Sequence, residues 1–244
     1  MKNNEKIAKL GKPSLIFGPG QQRRIDLVKK YVDLKGKRIL DLGCGIGQYS
    51  QRFKDLAGEV FGVDIDEEKI ETARKTNSGI DFQSAEAENL PFPENFFDVV
   101  FVNEVLEHVE NDKKAAKEIL RTLKPRGLAI IFAPNVLYPF ETHGIYLFGR
   151  YIHKNIPFIN WLPRAIHCFF CPHVRIYSKE TLKRLFQDLP ISSVYISYIF
   201  PAFDRVSRKY PSLARILRRF CRLAEKNRFF KKFGISILAV IKKQ

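Results

Sequence analysis

Arg-Ile-Leu-Asp-Leu-Gly-Cys-Gly-Ile-Gly, residues 38–47, decides the reading of this chain. An apolar strand (Ile39, Leu40, Leu42) runs into glycines at alternate positions, Gly43, Gly45 and Gly47, and a helix-compatible segment begins at Gln48. Glycine lets the backbone turn sharply and come close to a ligand, because no Cβ stands in the way. A helix that opens at such a turn directs its free N–H groups at whatever occupies it. The stretch therefore reads as a nucleotide-type binding loop.

The spacing narrows the choice of ligand. A dinucleotide loop, G-x-G-x-x-G, needs its third glycine at position 48, where this chain has Gln. A phosphate loop needs Gly-Lys-Ser or Gly-Lys-Thr at the helix start, and neither is present. The next apolar strand, Val60-Phe61-Gly62-Val63, ends on Asp64, a carboxylate about 20 residues beyond the loop and well placed to grip a ribose diol. Asp66, two residues on, suits the start of a helix over 67–76.

The stretch Asp41-Leu42-Gly43-Cys44-Gly45-Ile46-Gly47 resembles motif I of the class I S-adenosylmethionine-dependent methyltransferases. Further pieces follow in that superfamily's order: Phe82–Phe92 with Leu90-Pro91-Phe92, the strand Phe97–Asn103, Leu106-Glu107-His108-Val109, and Leu123-Lys124-Pro125-Arg126-Gly127. The likeness spans about residues 37–135. It implies S-adenosylmethionine as cofactor and methyl transfer as activity. It also implies cofactor contacts from Asp41, Gly43, Cys44, Gly45 and Gly47. Asp64 would hold the ribose, and Ile65 and Ala87 would flank the adenine. Glu86, where the family usually has Asp, would meet the adenine amino group, and Asn103 would end the strand under the methionine moiety.

Alternating strands and amphipathic helices predict a doubly wound, Rossmann-like sheet with helices on both faces. Strands are expected near 38–42, 59–64, 80–84, 97–103 and 127–133, with helices near 22–33, 48–57, 67–76 and 111–123. Asn111 is a candidate N-cap, as is Ser178 for a helix over 179–188. Late apolar runs at 191–200 and 234–242 would complete the seven strands of the family sheet, the last of them antiparallel. The chain then reads as a single methyltransferase domain. It has a basic N-terminal segment (1–36), a cofactor core (37–134), an aromatic cap insertion (135–175) and a basic helical insertion (202–233).

The net charge of +16 is unevenly spread. The core over 39–134 carries 11 basic and 18 acidic side chains, whereas 202–233 carries 11 and 2. Positive flanks attract an anionic partner: a nucleic acid, an anionic membrane surface or a phosphorylated small molecule. The periodicity of residues 211–224 places Leu213, Ile216, Leu217, Phe220 and Leu223 or Ala224 on one helix face and Arg215, Arg218, Arg219 and Arg222 on the other. Such a helix can cap a core, lie on a membrane or contact a nucleic-acid backbone. Aromatics between 140 and 170 have few basic residues among them, which suits an apolar pocket or an interface better than a nucleic-acid stacking platform.

No apolar run is long enough to span a bilayer and no secretory signal opens the sequence, so a cytoplasmic protein is expected, peripheral on the inner face of the membrane if the basic helix docks there. His167-Cys168-x-x-Cys171-x-His173 offers four metal ligands, but one C-x-x-C supplies a single pair; apolar packing of the cysteines is expected, and no metal. His143, just past the fifth strand, is the candidate base for removing an acceptor's proton, against the plainer reading of a loop-bonding histidine. The expected activity is methylation of a small or amphiphilic acceptor, such as a lipid, quinone, polyprenyl or glycolipid precursor. The alternatives are an RNA methyltransferase and a non-catalytic cofactor- or RNA-binding module.

Overall fold

The computed structural model describes residues 17–244; the first sixteen residues of the basic segment lie outside the described residues. The helices are α1 (Pro19–Tyr31), α2 (Gln48–Lys54), α3 (Glu67–Thr76), α4 (Asp112–Thr122), α5 (Arg164–Phe170), α6 (Lys179–Leu185), α7 (Asp204–Lys209) and α8 (Pro211–Lys226). The main strands are β1 (Arg38–Leu42), β2 (Glu59–Asp64), β3 (Asp81–Ser84), β4 (Phe97–Asn103) and β5 (Leu123–Pro134). Short cap strands follow: β6 (Phe140–Glu141), β7 (Ile145–Leu147), β8 (Arg150–Ile152) and β9 (Ile156–Pro157). The main sheet is completed by β10 (Ile191–Ile199) and β11 (Ser236–Lys243).

Seven strands form one sheet in the order β10-β11-β5-β4-β1-β2-β3. β1 pairs in parallel with β2 and β4, and β11 lies antiparallel between β5 and β10. Buried side chains alternate across the sheet, as the period of two demands. Val100 and Val102 of β4 and Ile131 and Ala133 of β5 pack under Ala116 and Ile119 of α4 and Leu182 of α6. Val99, Phe101, Ile130 and Phe132 face Ile25 and Val28 of α1 and Phe53 of α2. Helices thus cover both faces, which buries every central strand of the parallel portion. The loops at the carboxyl ends of the strands are left to build a site.

Boundaries depart from the sequence reading where local chemistry overrides periodicity. α1 starts at Pro19, three residues before the expected start at 22, because proline suits the first helical position and its missing N–H costs nothing there. β5 starts at Leu123, which pairs with Phe97 before a register shift. α6 stops at Leu185, short of 188, and β11 begins at Ser236. Asn111 and Ser178 cap as expected, accepting from the backbone N–H of Lys114 and Thr181. Asp66 occupies the N-cap position of α3 without a side-chain capping bond; its carboxylate lies 3.8 Å from Lys69 Nζ.

The insertions differ more. Four short strands in the cap form two tiny ribbons, β6 with β9 and β7 with β8. Around the cysteine pair, Cys171 is buried with Ile145 and Val174, but Cys168, Ile166 and Phe169 are exposed, so only half of the expected apolar patch exists. α8 turns its small residues inward. Ala214 is fully buried and Leu217, Cys221 and Ala224 partly so, while Leu213, Ile216, Phe220 and Leu223 are exposed. Arg218, expected on the solvent face, points inward and donates to the carbonyl of Ala202 at 2.6 Å.

Candidate functional site

The loop after β1 is held by backbone bonds to β2 and by its glycines. The N–H groups of Gly43 and Cys44 donate to the carbonyl of Val63 at 2.6 and 2.9 Å. Gly43 has φ +75°, and a Cβ there would sit 2.2 Å from Val105 Cγ2. Gly47 has φ +81°, and its Cβ would strike Phe82 and Asn77. Any side chain at either position would strain the backbone and displace a packed neighbour. Gly45 has open space on the side where its Cβ would stand, and its N–H donates to Asp64 Oδ2 at 2.9 Å.

These elements line one cavity of about 1120 Å3. Gly43, Cys44, Gly45, Asp64, Ile65, Glu86, Ala87, Asn103 and His143 all lie on its wall. Asp41 and Gly47 do not. Asp41 is buried behind the loop, accepts from Ser50 Oγ at 2.6 Å, and is pushed up to about 7 by burial in spite of that bond. Gly47 faces α3 rather than the cavity. Asp64 also accepts from the N–H of Asp66 at 2.9 Å, so each carboxylate oxygen holds one backbone bond and keeps a free lone pair. The Asn103 side-chain oxygen is buried with no hydrogen-bond partner, a polar group oriented for something besides protein.

His143 is fixed by Glu141. Its backbone N–H and its Nδ1 approach the same Glu141 oxygen, at 2.6 and 3.0 Å. Burial would push Glu141 up, but the bonds from His143, with His167 close by, hold it down at about 2. Burial also disfavours the charged form of His143, yet Glu141 outweighs it and the imidazole is raised above its ordinary value. His143 Nε2 lies 3.9 Å from Glu107, a fully buried carboxyl driven well above its usual range by burial and by neighbouring Glu104. Among the described residues two groups could hold a metal ion: Glu107, His108 and His143, and, off the cavity wall, Glu141, His167 and Cys171.

Several wall residues carry no sequence signature. Glu104, just after β4, adopts φ +54° and joins Arg24 (3.1 Å) and Ser236 Oγ (2.6 Å), which ties α1 and β11 to the end of β4. A non-glycine residue held in this region is strained, and such residues gather at working sites. Asp204 accepts from the N–H of Gly20, and Glu225 of α8 pairs with Arg23 and accepts from the N–H of Phe200. The basic insertion thus places Ala202, Phe203 and Asp204 on the wall.

Residues 40–131 match the family described as a methyltransferase domain. The chain is 31% identical over 178 residues to a ubiquinone/menaquinone biosynthesis C-methyltransferase of Yersinia pestis bv. Antiqua, covering 67% of this chain and 69% of that protein. It is 31% identical over 151 residues to a demethylmenaquinone methyltransferase of Renibacterium salmoninarum, covering 59% and 61%. The chain spans 61%, 64% and 58% of the length of three curated relatives it matches. An S-adenosylmethionine-dependent methyltransferase structure from Mesorhizobium loti shares the fold, with a TM-score of 0.63 at 19% identity over 91% of this chain and 97% of that one. The glycine loop, the carboxylate at the end of β2 and the sheet order agree with these likenesses: the chain belongs to the class I S-adenosylmethionine-dependent methyltransferase superfamily.

Proposed function

We propose that this protein transfers the methyl group of S-adenosylmethionine to a lipid-like or quinol-type acceptor. The observation that carries this reading is one continuous cavity, walled by the glycine loop and Asp64 on one side and by His143 on the other. Its volume exceeds the ~300–1000 Å3 usual for a single drug-sized ligand, which supports binding of cofactor and acceptor together. The residues present suit the cofactor: Asp64 keeps lone pairs for a ribose diol, Gly45 leaves its side open, and Asn103 offers an unpaired acceptor. Ile65 and Ala87 offer an apolar slot for the adenine, with Glu86 at its edge. When bound, the cofactor supplies an already activated methyl.

The chain's own task is alignment and proton removal. Glu141 takes the Nδ1 proton of His143 as a hydrogen bond and so leaves Nε2 as the acceptor nitrogen. An acceptor hydroxyl at Nε2 would lose its proton as the new bond forms. One named relative is a ubiquinone/menaquinone biosynthesis methyltransferase and the other a demethylmenaquinone methyltransferase, and an apolar acceptor agrees with the aromatic cap over 135–175. In this reading the insertions 135–175 and 202–233 form the acceptor side of a single methyltransferase domain.

An acceptor of that kind resides in a membrane, and the exposed side of α8 suits an anionic one. Leu213, Ile216, Phe220 and Leu223 form an exposed apolar ridge, Phe229 and Phe230 lie exposed just beyond it, and Arg215, Arg219 and Arg222 flank it. An apolar ridge beside arginines is the pattern of a helix lying in a lipid interface. No helix among the described residues is long and apolar enough to cross a membrane. Changing Arg215, Arg219 and Arg222 together to Gln should weaken flotation with phosphatidylglycerol vesicles about 100-fold, at about 1 kcal/mol per basic residue. Cofactor affinity should be unchanged, since none of the three lines the cavity. Unchanged flotation, or steeply salt-dependent RNA binding without flotation, would contradict the membrane reading.

A further inference from the structure

We propose that Glu141, His167 and Cys171 bind a zinc ion that ties the cap insertion together. The three side chains are all buried, at 1%, 3% and 1% exposure. Glu141 Oε2 and His167 Nε2 have no hydrogen-bond partner, although both are strongly polar and sealed from solvent. The two atoms face each other across 3.6 Å, an ion-pair distance if His167 is protonated but too long for a hydrogen bond, and a buried pair without hydrogen bonds is costly. That separation is close to a ligand–ligand edge around an ion held at about 2.0–2.3 Å. Cys171 Sγ completes a triangle in which no edge exceeds 4.8 Å. Its thiol donates only a long contact, 3.7 Å, to the carbonyl of Gly144, so rotation of the side chain toward the ion gives up little.

The donor set selects the metal. One thiolate, one imidazole and one carboxylate suit zinc, and exclude the all-oxygen preference of calcium and magnesium. The fold also shows why an ion would be useful. The cap's own core is small, Ile145, Cys171 and Val174 with a few half-buried neighbours, and its ribbons are two or three residues long. Elements this short bury too little apolar surface to hold themselves rigid, and a metal cross-link is the usual remedy. Here it would join β6, through Glu141, to α5 and the residue after it, through His167 and Cys171. The same Glu141 carboxylate holds His143 on its other oxygen, so the ion would also fix the orientation of that histidine.

The sequence pair Cys168 and Cys171 would have suggested a different site, but Cys168 is exposed and outside the cluster. This gives the test its control. Protein prepared without chelators and dialysed against excess zinc, then against buffer, should retain close to one zinc per chain by plasma mass spectrometry. Cys171→Ser and His167→Gln should each lower retained zinc at least tenfold, and Cys168→Ser should not. Cobalt-substituted wild type should show a thiolate-to-cobalt absorption band in the near ultraviolet, a readout that does not depend on any variant folding. Absence of retained zinc in folded wild type, absence of that band, or equal loss in Cys168→Ser would overturn the proposal.

Discussion

Asp64→Ala is expected to weaken S-adenosylmethionine binding at least about 100-fold, measured by calorimetric titration, while the protein stays folded. The variant removes the two oxygens proposed for the ribose hydroxyls, and bonds to a charged acceptor are worth roughly 1.5–3 kcal/mol each. It also frees the N–H of Gly45, which Asp64 Oδ2 holds at 2.9 Å, so the loop loses one of its ties to β2 and keeps those of Gly43 and Cys44 to Val63. The effect is therefore larger than the loss of one ligand contact. Asp64→Asn keeps one oxygen and should fall between the two. Affinity within about threefold of wild type for the alanine variant would remove Asp64 from the cofactor site.

His143→Ala should lower kcat by about 100- to 10,000-fold, the range for loss of a positioned general base. KM and cofactor affinity should change little. In the proposed role the imidazole serves proton removal, whereas the proposed cofactor wall comes from other elements, around β1, β2 and β4. A merely structural histidine would behave differently. Its loss would remove the Nδ1 bond to buried Glu141 and leave a void at the cavity wall, and would disturb binding and turnover together. Steady-state kinetics beside a calorimetric titration separate the two outcomes. Turnover within a few-fold of wild type would leave His143 without a chemical role.

The glycine loop and the strands around it were legible because their constraints are local. Gly43 and Gly47 need left-handed backbone and space that only glycine leaves, and Asp64 ends an apolar strand; each constraint leaves a mark within a few residues. The cap and the far cavity wall are built from distant partners. Glu141 and His167 stand 26 positions apart, and no spacing rule links them until β6 and α5 pack together. Glu104 meets Arg24 and Ser236 from opposite ends of the chain. α8 misleads a periodicity argument for a different reason. The larger apolar residues mark the face with the stronger hydrophobic pattern, yet close packing favours the side with Ala214, Cys221 and Ala224, where backbones can approach. Periodicity locates an apolar face without saying whether protein or lipid covers it.

The central claim is methyl transfer to a lipid-like acceptor. Its most direct test is to incubate the protein with S-adenosylmethionine labelled in the methyl group and a cell extract, and to follow the label by mass spectrometry after organic partition. Label is expected in a lipid-soluble product of the organic phase and is expected to be absent with Asp64→Ala. Label confined to RNA, or no transfer by protein that binds the cofactor, would contradict it.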